Sequence, residues 1–276
     1  MDLAFAEIGD RVYVLRYPVL DVNVTLVVGD GAALLVDTLS TAGQAAALLT
    51  AVRAVTRHPL TVVNTHHHFD HCFGNATVAG DPAAPIYAHP ATLALLRDHP
   101  ETVRRLAYQE MREPEPALAE ELIDAEILAP THPVHRAADL DVGGRPVRLR
   151  HVGRGHTAGD LLVYLPDADV LVAGDLLEEG GPPDFGESYP MQWPDTVAEL
   201  LRLTTPHTVL VPGHGSLVDV SFARAQHADL AALRRLIRDG YAVGAPPEQV
   251  AARAPFGRRP ALTAVRRGYA ELSGAL

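Results

Sequence analysis

Five side chains able to ligate a metal ion, His66, His67, His68, Asp70 and His71, fall within six consecutive positions of the segment Thr65-His66-His67-His68-Phe69-Asp70-His71. A divalent ion needs about four donors converging from a small volume, typically neutral imidazoles and carboxylates at about 2.0–2.2 Å for zinc. Alternate side chains of an extended segment project to one side, so His66 and His68 can hold one ion together. Asp70 and His71 follow a turn and can serve a second ion nearby, whereas His67 and Phe69 face the other way. The competing reading is a solvated polyhistidine loop or an affinity tag. The internal position and the interleaved aspartate oppose it.

Three later segments add donors of the same kind. Gly155-His156-Thr157-Ala158-Gly159-Asp160 places a histidine in a glycine-rich turn before an apolar run. Leu171-Val172-Ala173-Gly174-Asp175 ends an apolar run on a carboxylate, and Val211-Pro212-Gly213-His214-Gly215 ends another on a histidine between glycines. Rigid sheets present functional groups from the loops at their strand ends. Each segment alone is a weak signal; their joint order is specific.

The elements that must position these residues follow from periodicity. Strands are expected at 11–17, 23–28 and 32–37, with Gly29-Asp30-Gly31 as a hairpin turn. A helix over about 40–56, capped by Ser40 or Thr41, precedes a buried strand at 60–64 that runs into the histidine cluster. Residues about 90–127 read as paired amphipathic helices. Strands follow near 138–141, 146–152, 160–165 and 169–174, then a helix at 194–204, a strand at 207–212 and a helix at 220–239. Two short helices are expected around Pro246-Pro247 and Pro260. Strands mixed with helices throughout give an α/β (α+β) layered class.

Composition narrows the function. The 276 residues, 47% hydrophobic and 21% charged, exclude a disordered or collagen-like chain and are read as one domain over 1–276. No apolar stretch approaches the ~18 residues of a membrane span, and Met1-Asp2-Leu3-Ala4-Phe5-Ala6-Glu7 has neither a basic nor an apolar signal region. A net charge of −11 repels nucleic acid and anionic membrane. A lone cysteine cannot form an internal disulfide, and the absence of lysine excludes Schiff-base chemistry. A cytoplasmic protein acting on a small molecule is expected.

The ordered set Val36-Asp37-Thr38, His66-x-His68-x-Asp70-His71, His156, Asp175 and His214 resembles the metallo-β-lactamase superfamily over roughly residues 10–218. The resemblance implies a four-layer αββα sandwich with its site at one edge of the two sheets; beside it, the helices at about 90–127 are read as an insert and those at about 220–276 as a C-terminal extension. It also implies that His66, His68 and His156 hold a first metal, that Asp70, His71 and His214 hold a second, and that Asp175 bridges them. Asp37 then occupies the place of a buried aspartate that orients ligands; a strand-ending aspartate in a turn is the other reading.

Such a site makes a dinuclear hydrolase with two Zn2+, or iron or manganese in their place. Two ions sharing a carboxylate at roughly 3.5–4 Å turn a bridging water into hydroxide near neutral pH and polarise an ester, thioester, lactone or amide carbonyl. Asp70 can ligate and also take a hydrogen bond from that nucleophile, so no serine or cysteine nucleophile is required.

Departures from individual branches are informative. Asp175 stands where zinc β-lactamases carry cysteine or serine, and Glu178 stands in place of a substrate-binding lysine, which demotes β-lactam hydrolysis. His68 replaces the glutamate of flavodiiron proteins. Leu176-Leu177-Glu178-Glu179 lacks the tyrosine usual in homoserine-lactone lactonases. The acidic balance disfavours a ribonuclease, and no basic glutathione clamp supports a hydroxyacylglutathione hydrolase. A mononuclear iron persulfide dioxygenase, using His66, His68 and His156 alone, is the main alternative; a catalytically weak binding protein is another.

Weaker signals remain. Cys72 is read as a small buried hydrophobe rather than a ligand, and Gly74-Asn75 as easing close helix packing. Phe185, Tyr189 and Trp193 lie in a turn-rich loop that either walls a substrate pocket or anchors itself to the core. The insert, with Arg104, Arg105 and Tyr108, is a lid, a homodimer surface or a solvated hairpin. The remaining histidines, among them His89 and His151, have no spacing partner and are read as surface or core residues.

Overall fold

A computed structural model of the chain describes residues 3–80 and 84–276; Met1 and Asp2, part of the segment inspected for a signal sequence, lie outside them. A first sheet runs in order through β1 (Ala6–Gly9), β2 (Val12–Tyr17), β3 (Val22–Val28), β4 (Ala33–Val36), β5 (Leu60–Val63), β6 (Ile86–Ala88) and β7 (His132–Pro133). A second has the order β12-β11-β10-β9-β8, made of β8 (Ala137–Val142), β9 (Arg145–Arg150), β10 (Leu162–Leu165), β11 (Val170–Gly174) and β12 (Val209–Pro212). The helices are α1 (Ala42–Val55), α2 (Phe69–Cys72), α3 (Asn75–Ala79), α4 (Pro90–Asp98), α5 (Pro100–Met111), α6 (Pro116–Ile123), α7 (Trp193–Arg202), α8 (Val220–Ala242), α9 (Pro247–Ala251) and α10 (Arg258–Ser273).

Side-chain alternation along the strands dictates the layers. Val12 and Val14 of β2 and Leu34 and Val36 of β4 point between the sheets, where they meet Val147 and Leu149 of β9 and Val163 and Leu165 of β10. Their neighbours Leu26, Leu35 and Val62 point outward and are covered by Leu48 and Val52 of α1. On the far side Leu162, Leu171 and Ala173 are covered by α7, α8 and α10 through Val197, Leu233, Ile237 and Ala264. Full burial of such a leucine, isoleucine or valine contributes roughly 1.5–3 kcal/mol, so neither sheet can leave either face open. The outcome is the expected αββα sandwich.

Topology then places the site. β3 and β4 form the hairpin expected across Gly29-Asp30-Gly31, but β4, β5, β6 and β7 are parallel, and so are β11 and β12. Parallel neighbours bring their carboxyl ends to one edge. Asp37 follows β4, His66 follows β5, Asp175 follows β11 and His214 follows β12.

The structure differs from expectation in several elements. The insert is three helices, α4 to α6, whose Val103, Ala107, Leu118 and Leu122 pack on Phe69 and Phe73 beside α2. Strands β1, β6 and β7 were not expected: β1 is a partly exposed edge, and β6 and β7 are too short for periodicity to register. The region around Pro260 is a helix of 16 residues, because proline in a first turn removes no hydrogen bond the helix would make. Among the described residues no helix is long and apolar enough to cross a membrane.

Candidate metal centre

Local structure delivers each side chain. Asp37 leaves β4 with a positive φ of 69°, a costly conformation for a residue with a Cβ. Its carboxylate is held there by Thr65 N and Thr65 Oγ1, both at 2.8 Å. His68 sits just before α2, so the helix's first turn carries Asp70 and His71. The turn at His156 is shaped by Asp160, which accepts from Thr157 N at 3.0 Å and Thr157 Oγ1 at 2.5 Å. His214 is steadied by Asn23, whose Nδ2 donates to Pro212 O at 3.0 Å and Gly215 O at 2.9 Å. Gly213 has a specific reason: a Cβ there would lie 1.7 Å from Asp175 Oδ1. Gly74 has another, since its Cβ would strike Thr38 O at 2.0 Å where α3 approaches the β4 end.

The seven side chains meet in one pit. Donor atoms of His66, His68, His156 and Asp175 lie within 4.8 Å of one another, as do those of Asp70, His71 and His214. His68 Nδ1 is 2.8 Å from His156 Nε2, and Asp175 Oδ2 is 3.6 Å from His66 Nε2 and 3.3 Å from His156 Nε2. On the other side His71 Nε2 is 3.4 Å from His214 Nε2 and 3.3 Å from Asp175 Oδ1, and Asp70 Oδ2 is 3.3 Å from His214 Nε2. Asp175 therefore touches both groups.

The outward nitrogens decide what the inward ones can do. His71 Nδ1 faces Asp37 Oδ2 at 2.8 Å, His214 Nδ1 faces Leu20 O at 2.7 Å, and His156 Nδ1 faces Asp184 O at 3.3 Å. His68 Nε2 faces Glu187 Oε2 at 3.4 Å. His66 Nδ1 faces Thr65 Oγ1 at 3.0 Å; that hydroxyl donates to Asp37, so it can only accept from the ring. Each of these five rings thus has an acceptor on its outward side, which places its proton there and turns a lone pair toward the centre. Among the described residues, buried His66 Nε2 and Asp175 Oδ1 have no hydrogen-bond partner. Convergent lone pairs and carboxylates without a donor between them fit cations, and the donor set of imidazoles and carboxylates suits zinc, iron or manganese.

Without a metal, the surrounding carboxylates draw a second proton onto part of this set. Burial opposes a proton on His71, but the charges of Asp175, Asp70 and Asp37 push its pKa up to about 9. Burial is likewise outweighed at His68 by Glu187, Asp70 and Asp175, to about 9, and at His214 by Asp175, Asp70 and Glu178, to about 11. At His156 burial wins over Asp175, and the pKa falls to about 4. Burial would raise the pKa of Asp175, yet the surrounding histidines hold it well below the usual carboxylate range. The pit favours positive charge, which a bound divalent ion supplies in place of protons.

A cavity of about 750 Å³ opens beside His67, His68 and Glu187. Phe69, Phe73, Leu95, Val103 and Leu106 wall one side, Pro182, Pro183 and Phe185 another, and Arg259, Pro260 and Thr263 of α10 close it. Phe185 thus stands where a pocket residue was expected. Trp193 and Tyr189 are not among the lining residues. Trp193 is fully buried and bonds Leu176 O through Nε1 at 3.2 Å, so it anchors the loop instead. Tyr189 is covered by the Arg154 guanidinium, 4.3 Å from its ring centroid. Helices α4 and α5 of the insert wall the cavity rather than standing off as a solvated hairpin. The Cys72 thiol is buried and donates to His67 O and His68 O, both at 3.2 Å, and burial raises its pKa well above the usual thiol value.

Sequence reasoning missed Glu187, Asp160, Asn23 and the carbonyls of Leu20 and Asp184. The Thr-x-x-Asp spacing of Thr157 and Asp160 is a local signal that could have found one of them. The others are brought in by tertiary contacts from positions without a motif. His89 and His151, unpartnered in spacing, stack with ring centroids 4.1 Å apart.

Comparison with known proteins agrees with the fold. The profile described as Metallo-beta-lactamase superfamily matches residues 17–214. An uncharacterized protein of Mycobacterium tuberculosis is 26% identical over 190 residues, covering 64% of this chain and 78% of the relative. The acyl-coenzyme A thioesterase MBLAC2 of Homo sapiens is 29% identical over 162 residues, 57% of each chain. Among solved structures, the stereoselective inverting sec-alkylsulfatase Pisa1 from Pseudomonas sp. superposes with a TM-score of 0.75 at 18% identity, over 99% of this chain and 51% of the other.

Proposed function

Because the chain belongs to the metallo-β-lactamase superfamily, we propose that it is a dinuclear metal-dependent hydrolase, zinc-loaded, that cleaves a carbonyl ester, thioester, lactone or amide of a small molecule. The observation that carries this reading is the orientation of five imidazoles, each with its outward nitrogen against an acceptor and its inward nitrogen turned into the pit that holds Asp70 and Asp175. A divalent pair in that pit would supply a Lewis acid for the carbonyl oxygen and lower the pKa of water to near neutrality.

The chain's own residues do the rest. His66, His68 and His156 are the side chains for a first ion, Asp70, His71 and His214 for a second, with Asp175 between them. Asp70 Oδ2 faces His71 and His214, which leaves Oδ1 to accept the proton of an attacking water and pass it to the leaving group. The apolar walls from Phe69, Phe73, Val103 and Phe185 exclude water from the carbonyl and hold an apolar acyl or alkyl part. Glu178, the residue in place of a cationic substrate clamp, accepts Asp184 N at 2.8 Å and offers no positive charge to a β-lactam carboxylate. A thioester is the first substrate class to assay, because the human relative is named an acyl-coenzyme A thioesterase.

Elemental analysis of untagged protein, followed by an ester, thioester and lactone panel, tests this. About two zinc ions per chain with turnover lost on chelation is the expected result. One iron per chain with oxygen uptake on a thiol persulfide would replace the hydrolase with a dioxygenase.

A further inference from the structure

Two of the three side chains assigned to the first ion take their outward partners from one short loop between β11 and α7. His156 Nδ1 meets Asp184 O at 3.3 Å, and His68 Nε2 meets Glu187 Oε2 at 3.4 Å. The same Oε2 faces His67 Nε2 at 2.5 Å. His71 and His214 instead lean on Asp37 and Leu20 O, and His66 reaches Asp37 through Thr65. The loop therefore serves one half of the centre.

That loop is gripped from outside. Arg267, on α10, donates from Nε to Ser188 O at 2.5 Å, from Nη1 to Gly186 O at 3.2 Å and from Nη2 to Glu187 O at 2.9 Å. A planar guanidinium presents five N–H donors in a fixed fork and can span three successive carbonyls. The loop is also closed on itself, with Gly186 N donating to Asp184 Oδ1 at 2.9 Å.

We propose that Glu187 is a positioning residue for the metal centre and that Arg267 acts through it, so that the C-terminal helix α10 sets the affinity for the ion held by His66, His68 and His156. This rests on the metal-centre reading above. His68 turns Nδ1 inward, unlike the other four rings, so its proton must sit on Nε2, where Glu187 is the acceptor that meets it. The Glu187 side chain is 45% exposed. Without anchors it would trade the ring for water. His67 pins its carboxylate and Arg267 pins its backbone. At 3.4 Å the bond to His68 is long, and ligation strengthens it, because a coordinated imidazole is a stronger donor.

The test uses the full chain with zinc, and cobalt as a spectroscopic stand-in. Glu187→Ala, Glu187→Gln, Arg267→Met and the double variant Glu187→Ala/Arg267→Met are titrated against a chromophoric chelator. Unfolding of the metal-free proteins checks the fold. Glu187→Ala should weaken one of two equivalents by about 10–100-fold, the usual cost of losing a ligand's outer partner, and shift the cobalt absorption band. Glu187→Gln should recover part of this, since its amide oxygen can still accept from one ring. Arg267→Met should weaken the same equivalent, and the double variant should be no weaker than Glu187→Ala. Wild-type affinity and cobalt spectrum in Glu187→Ala would overturn the proposal, as would effects of the two residues that multiply. If Arg267→Met does not fold, the Glu187 variants decide. A wild-type chain that binds neither zinc nor cobalt would overturn the metal-centre reading itself, a separate outcome.

Discussion

Asp37 Oδ2 lies 2.8 Å from His71 Nδ1, joining two residues 34 positions apart in the chain. The same carboxylate takes Thr65 Oγ1, which in turn faces His66 Nδ1. One buried aspartate thus orients a side chain in each half of the centre, and burial raises its own pKa even though His71 and Thr65 oppose that.

Replacing Asp37 by asparagine tests this coupling. The amide can present an N–H where His71 needs an acceptor, which would turn the His71 proton inward. Zinc affinity should drop about 10–100-fold for the pair of sites, read by chelator competition, while the far-ultraviolet circular dichroism stays native. Unchanged affinity would mean that Asp37 serves only the turn after β4.

Removing a proposed ligand should cost function without costing the fold. His156→Ala and Asp70→Ala should each lower metal content by about one equivalent and abolish turnover, whereas the sandwich, built on the cores of both sheets, should still unfold cooperatively. Full activity in either variant would sink the site assignment.

Cys72 offers a contrasting prediction. Its thiol bonds two backbone carbonyls from a buried position and joins no donor group. Cys72→Ser should keep metal content and most activity, with a small loss of stability, about 1 kcal/mol, from placing a hydroxyl among Phe69, Phe73 and Leu96. Complete loss of metal would show that sulfur is a ligand after all.

The metal-free chain should respond to pH in a direction fixed by its histidines. His68 and His71 have folded pKa values raised to about 9 and His214 to about 11, against an ordinary value of 6.5. Between pH 7 and 10 the folded state therefore binds more protons than the unfolded one, and stability falls as pH rises. Their contribution is complete below 6.5 and is lost as pH passes through the folded values. Urea midpoints in chelator should decrease from pH 7 to pH 10; a flat or rising profile would show that the pit carries no excess protons. Bound zinc should reverse the trend, since alkali frees its ligands.

What the sequence determined by itself was the donor chemistry and its order. His66, His68, Asp70, His71, His156, Asp175 and His214 are legible because ligation demands particular residue types, and because each group adjoins an apolar run, after it for His156 and before it for the others, that periodicity reveals. The hairpin at Gly29-Asp30-Gly31 and the Thr41 cap of α1 were legible for the same local reason. The tertiary structure alone decided which way each ring turns. Glu187, Leu20 O and Asp184 O reach their histidines from positions 119, 194 and 28 residues away in sequence, and no local pattern encodes an acceptor arriving from another layer. It also decided that Trp193 anchors while Phe185 lines the cavity, and that α10 closes that cavity with Arg259 and grips its loop with Arg267. Residue types fix what chemistry is available; the packing of two sheets and their helices fixes where each proton and lone pair points.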